Sequence, residues 1–285
     1  MNPFAASVPG TALGLVRLVR PLNVLLFAAG TLLGSFLSAS TSMSGRAGAW
    51  WAAIAATLIG AAANAINDVF DAEIDRINRP DRPIPMGVVS PAAARWTWGL
   101  LSVAGITLAA SLSVAHGIIA VSSVALLFGY AAFGKRHPIF KNLAVAVVVA
   151  AALPFGALAV GSWVPALPAS AFAFLTTLTR EIVKDIEDRV GDTAAGARTL
   201  ATGWGADRAS RLSIGLVGLT ALAAPIPSIA LGYPGLYLLL LVPTISVLLF
   251  VATRLAMRPP DASSASGGLK WAMVLGMLAL AAAAT

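Results

Sequence analysis

The sequence predicts an all-α fold, a polytopic membrane bundle of about nine transmembrane helices, and three observations carry that prediction. Of its 285 residues 58% are hydrophobic and only 11% charged, whereas about a quarter of a soluble domain is charged. Apolar runs of about 20 residues, the length that crosses a bilayer, recur between short polar breaks. Lys and Arg fall on alternate breaks, as the positive-inside rule requires of cytoplasmic loops.

Taken in order, the first run, 21–40, follows Arg17 and Arg20, and the second, 47–71, ends in a group of acids. The basic stretch Arg76 to Arg95 leads into 91–112, which is followed by 115–133. Lys135, Arg136 and Lys141 precede 142–161, and 165–186 ends in a second group of acids. Lys184 to Arg211 leads into 209–231, while 233–253 ends before Arg254 and Arg258, and 266–284 closes the set with Lys270 near its start. Only Arg46 falls on the outer side, so the N-terminus and the acidic loops are expected in the cytoplasm and the C-terminus outside. No basic-then-apolar signal with a cleavage site precedes the first run, which reads as a retained anchor of a single domain, 1–285. A pI near 10.6 then reflects topology and contact with membrane lipids, with no nucleic-acid partner.

Within the runs, Gly30 and Gly34 form a small-xxx-small pattern for close helix contact, and Trp50 with Trp51 reads as an interfacial belt. There is no cysteine, which excludes thiolate metal sites and thiol nucleophiles. His116 and His137 are too few and too far apart for a zinc site, and each is expected in a loop or at a helix end.

Ten of the twelve acids lie in two clusters. The first runs from Asn67 and Asp68 through Asp71 to Asp75, the second from Lys184 and Asp185 through Asp188 to Asp192. In both, aspartates advance by three and then four residues, which keeps one helical face. Each aspartate of the second cluster lies 117 residues after its counterpart, predicting an internal duplication whose two helix ends face one another. Three carboxylates on two helical turns repel each other, so a cation must balance them. Oxygen donors without Cys or His suit magnesium, held by carboxylates and substrate phosphate oxygens. The Arg79–Pro85 stretch, with three prolines, cannot continue a helix and is expected to cap the first cluster on the cytoplasmic side of a central cavity.

The segments 67–90, NDVFDAEIDRINRPDRPIPMGVVS, and 180–200, REIVKDIEDRVGDTAAGARTL, resemble the UbiA superfamily of intramembrane prenyltransferases, with its NDxxDxxxD and DxxxD-type motifs. Arg20-Pro21 and Tyr130 with Lys135 fit the same pattern, and the resemblance covers most of the chain. REIVKDIED resembles the ether-lipid branch, although Met86-Gly87 and Leu200-Ala201 depart from the Ser-Gly and Leu-Pro common in relatives. The resemblance implies a magnesium-dependent prenyltransferase that ionises an allylic diphosphate. It would pass a prenyl group, geranylgeranyl for this branch, to a lipid-soluble acceptor, the hydroxyl of geranylgeranylglyceryl phosphate. An aromatic quinone precursor or a chlorophyll-type acceptor is the alternative for the same chemistry.

On that reading Asp68, Asp71 and Asp75 hold one magnesium ion and Asp185, Asp188 and Asp192 a second, with Asn67 as a neutral ligand or donor. Arg82, Lys135 and Lys184 contact phosphate, and Arg20 binds the acceptor phosphate or a lipid headgroup. Tyr130, Phe133 and Phe70 are the candidate walls around the carbocation. Two other classes compete. A cation transporter would carry its acids near span midpoints, where this chain has them at the ends. A CDP-alcohol phosphatidyltransferase matches only Asp192 to Arg198, lacks the downstream acids of its signature, and has Asp207 alone before Asp261.

Overall fold

The computed structural model describes residues 8–38, 43–133 and 138–284, so the expectation for Lys135 falls outside the described residues. Among the described residues all regular structure is helical. A short α1 (Val8–Val19) runs into α2 (Pro21–Leu37), bent by 42° at Arg20. Then come α3 (Met43–Phe70), α4 (Ala72–Asn78), α5 (Pro91–Leu112), α6 (Val114–Phe133) and α7 (Pro138–Leu158). The second half holds α8 (Leu167–Glu187), α9 (Arg189–Ala194), α10 (Leu200–Trp204), α11 (Ala206–Ala223), α12 (Ile226–Leu231), α13 (Gly235–Ala256) and α14 (Ala262–Ala281).

A described helix stands at each expected run. By length and composition six of them are able to cross a membrane, seven if the bent α1–α2 pair counts as one. The helices α5 and α8 fall short for a physical reason: α5 opens on Arg95 and two tryptophans, and α8 carries Arg180, Glu181, Lys184, Asp185 and Glu187 in its last turns. Such charges are tolerated at membrane depth where they face a protein interior or a polar cavity.

Contacts between the helices close a ring in chain order, from α2 through α3, α5, α6, α7, α8, α11 and α13 to α14, which returns to α2. The 117-residue offset of the acids also carries the helices. Pro21 opens α2 and Pro138 opens α7, and α3, α4, α5 and α6 are followed at that displacement by α8, α9, α11 and α13. Equivalent neighbours touch in both halves, so the duplication is legible in the architecture. Proline suits these starts because its missing N–H is one that a first turn leaves unpaired anyway.

Where the two halves meet, α2 and α7 approach backbone to backbone. A Cβ at Gly34 would overlap the carbonyl of Leu153, and one at Gly156 the carbonyl of Thr31. Ser35 seals the contact by donating to the Gly156 carbonyl at 2.8 Å. Gly30 takes no part, since a Cβ there meets nothing within 4 Å. The small-xxx-small pattern therefore works through Gly34 and Gly156. Gly34→Val is expected to cost about 3 kcal/mol, the upper end for overpacking, and to lower the thermal midpoint in detergent, while Gly30→Ala leaves it in place. Equal shifts would refute this assignment.

The 79–89 stretch folds over the end of α3 as the prolines require. Ile84 and Val89 are buried against Leu18, Ala65 and Ala94, and Gly87, at φ 72°, makes the turn that a side chain would strain. Ser90 then caps α5 by accepting from the Ala93 N–H. His116 sits in the first turn of α6 between Ser113 and the Phe155 carbonyl, at a helix end as expected, while His137 lies outside the described residues.

Candidate active site

Each acidic motif is built the same way: a long helix, one residue of break, and a short helix. Asp68 and Asp185 lie in the last turns of α3 and α8, Asp75 and Asp192 in α4 and α9. Asp71 (φ −90°, ψ −1°) and Asp188 (φ −88°, ψ 5°) are the breaks. The expected continuous acidic face is thus interrupted at its middle member. Among the described residues no three acids stand closely enough together to enclose an ion on their own. The short helices α4 and α9 that follow the breaks touch each other, and within the first motif Asp68 and Asp75 share one cation, Arg82.

Asp68 and Asp185 are buried and engaged by cations. Asp68 is in close contact with Arg20 and lies 3.4 Å from Arg82, and Asp185 accepts from Lys141 at 2.9 Å and from the Asn142 amide at 3.0 Å. Arg20 reaches Asp68 from a left-handed backbone (φ 55°), a conformation that costs a non-glycine residue of order 1–3 kcal/mol and that clusters at functional sites. Arg82, from the prolyl cap, also binds Asp75. Arg79 joins the motifs, bridging to Asp188 at 3.0 Å and to Glu187 at 3.2 Å. Asn78 holds the short helices together: its side chain donates to the Asp188 carbonyl and accepts from the Gly191 N–H.

Two carboxylates have less than full compensation. Burial pushes Asp75 up to about 6, with Arg82 opposing and Asp71 adding to the rise. Burial likewise pushes Asp192 up to about 6 against Lys141, helped by Asp185 and Asp188. One carboxylate oxygen of Asp192 and the amide oxygen of Asn142 are buried without a hydrogen-bond partner. A buried acceptor without a donor costs about 1–3 kcal/mol, and a hard cation removes that cost. Oxygen donors of this kind fit magnesium.

These groups ring one end of a cavity of about 780 Å³, within the range typical of ligand sites. Asn67, Asp71, Asp75, Asp188 and Asp192 line it, as do Arg20, Arg82, Tyr130 and Lys184, whereas Asp68 and Asp185 stand behind the wall. Asn67 donates to Asp71 at 2.8 Å. The other end is apolar, walled by Phe27, Leu33, Val148, Leu153, Phe172 and Met277. Phe133 is 57% exposed, and Phe70 packs edge-on against Phe128. Neither aromatic is among the residues that line the cavity.

Sequence reasoning missed Lys141, Asn142, Arg79 and Arg180 as parts of this site. Lys141 read as a loop charge because the run was started at 142; the proline at 138, 117 residues after Pro21, signals an earlier helix start that brings Lys141 onto the cavity wall.

The UbiA prenyltransferase family model matches residues 24–283. The chain is 41% identical over 245 residues to digeranylgeranylglyceryl phosphate synthase of Halobacterium salinarum, covering 86% of this chain and 88% of that protein. It superposes with a TM-score of 0.76 and 27% identity on a solved structure described as that of a digeranylgeranylglyceryl phosphate synthase in membranes, covering 96% and 98% of the two chains. A UbiA homolog from Archaeoglobus fulgidus, bound to GPP and Mg2+, matches with a TM-score of 0.70 at 18% identity over 94% and 99%, a likeness of fold.

Proposed function

The chain belongs to the UbiA prenyltransferase family, and on that premise we propose that it transfers a geranylgeranyl group from its diphosphate to the hydroxyl of geranylgeranylglyceryl phosphate. The observation that carries this is the cavity itself: two acid-bearing helix breaks face each other at one end, and the space continues into an apolar chamber suited to an isoprenoid chain. The similarity to the Halobacterium salinarum synthase supports the acceptor. The bundle crosses the membrane nine times, with the N-terminus and the acidic ends in the cytoplasm, a reading supported by the alternation of basic loops.

Asn67, Asp71, Asp75, Asp188 and Asp192 would hold two magnesium ions. Magnesium, when bound there, supplies positive charge to the diphosphate oxygens as the leaving group departs. Arg82 adds a planar donor pair from the cap, and Asp68 and Asp185 position Arg20, Arg82 and Lys141 at the wall. The bond from the allylic carbon to oxygen breaks with its electron pair on the diphosphate. The acceptor oxygen then bonds to that carbon, and its proton passes to the departing diphosphate. Tyr130 and the apolar wall exclude water, which would quench the cation to an alcohol.

Purified protein in detergent is expected to form the diether product from labelled geranylgeranyl diphosphate and geranylgeranylglyceryl phosphate only with magnesium present. Diphosphate release with an aromatic acceptor and none with the glyceryl phosphate would replace the acceptor. Metal flux in proteoliposomes without any prenyl turnover would replace the reading altogether.

A further inference from the structure

Most cations of the cavity are committed to motif acids: Arg20 and Arg82 to Asp68, Lys141 to Asp185, and Arg79 to Glu187 and Asp188. A second set is not. On α8, Thr177, Arg180, Glu181 and Lys184 share one face at helical spacing, and on α14 Ser263, Ser266, Gly267 and Lys270 do the same. Both faces line the cavity, and α8 packs on α14. Buried Glu181 is bracketed by Arg180 and Lys184, each at 3.3 Å. Lys270 makes no ion pair or hydrogen bond among the described residues, although it lies within electrostatic reach of Arg180, Glu187 and Arg79. Three cations thus share Glu181, and the Arg79–Glu187 ion pair is also within electrostatic reach of Lys270. In addition, the Arg180 Nε and the Thr177 hydroxyl are buried without hydrogen-bond partners, and a Cβ at Gly267 would meet nothing within 4 Å. The pair of faces is open, polar and richer in cations than in acids.

Resting on the reading of the reaction given above, we propose that Arg180 and Lys270, with Lys184 shared by Glu181, form the subsite for the phosphate monoester of the acceptor, separate from the diphosphate end. A phosphate monoester carries about −1.5 to −2 near neutral pH, charge that a cluster of three cations around one buried glutamate is suited to receive. The position also fits. Arg180 lies eight residues before Asp188, the residue that ends α8, about 12 Å deeper along the axis, on the side where the allylic carbon leaves its diphosphate for the apolar chamber. A glycerol backbone separates the phosphate from the accepting hydroxyl by no more than two carbons, so a phosphate anchored beside Arg180 brings that hydroxyl to the reacting carbon. Arg offers a fork for two phosphate oxygens and Lys a point charge.

The test is steady-state kinetics on the full chain with geranylgeranyl diphosphate, geranylgeranylglyceryl phosphate and its dephosphorylated alcohol. Lys270→Gln and Arg180→Gln are expected to raise the KM for the phosphorylated acceptor by about tenfold or more, the scale of a lost charge-assisted hydrogen bond. The KM for the prenyl diphosphate stays within about twofold, which also shows that the variants are folded, and Lys270→Arg recovers most of the loss. With the dephosphorylated alcohol the wild type itself is weakened, and Lys270→Gln adds nothing. An unchanged acceptor KM in both variants overturns the proposal, as does an equal rise in the KM for prenyl diphosphate, which gives these cations to the leaving group. Phosphatidic acid in the micelle that competes as strongly as the acceptor phosphate overturns it in favour of a bulk headgroup site. If the wild type uses no phosphorylated acceptor, the parent reading fails first, and the variants are not needed to see it.

Discussion

Asp192→Asn is expected to lower magnesium-dependent prenyl transfer by about 10³-fold, equivalent to about 4 kcal/mol of transition-state stabilisation. The side chain is 5% exposed, belongs to the cavity wall, and has a carboxylate oxygen with no protein donor. Asparagine keeps the shape and removes the charge, so binding of the apolar tail is left intact and the magnesium requirement shifts upward. Asp68→Asn makes the contrast. Its carboxylate is spent on Arg20 and Arg82 behind the wall, and removing one partner of a buried ion pair costs about 3–5 kcal/mol. That variant should lose thermal stability first, with a smaller change in the magnesium concentration for half-maximal rate. Magnesium titrations of both variants beside thermal melts decide the matter. An Asp192→Asn enzyme with wild-type magnesium dependence would remove this residue from the metal site.

How far the sequence could be read is seen at the same residues. Spacing of three and four gave the two motifs and their 117-residue relation, because those depend only on helical period and on counting. It could not show that Asp71 and Asp188 end their helices, since neither glycine nor proline marks the break; the backbone departs from helix by a change at single residues. Asp68 and Asp185, at the ends of the long helices, are met by cations from the α1–α2 bend, the prolyl cap and α7, and those partners lie 48, 14 and 44 residues away along the chain. Pairings over such separations leave no local pattern. Arg82 was legible because three prolines forced the cap back over the cluster; Lys270 was hidden because a lone basic residue at the inner end of a span is what topology alone would supply.

The largest effect expected away from any charge is at Asn78. This residue is the hydrogen-bonded clamp between α4 and α9, giving its amide to the Asp188 carbonyl at 3.2 Å and its oxygen to the Gly191 N–H at 3.1 Å. Glycine at 191 is what lets the short helices meet, because a Cβ there would overlap the Asn78 amide. Asn78→Ala should therefore leave every carboxylate and every cation in place and still slow transfer by about 10²-fold, the penalty for a displacement near 1 Å between groups that must act on one diphosphate. Gly191→Ala should lose as much by the opposite route, forcing the helices apart. The two losses are not independent: once Asn78 is truncated the added methyl group has room, so the double variant should be no slower than Asn78→Ala alone. Rates that multiplied in the double variant would mean that the two residues act separately, and that the distance between the acidic ends is set by Arg79 and its pair of acids on α8 and at its end.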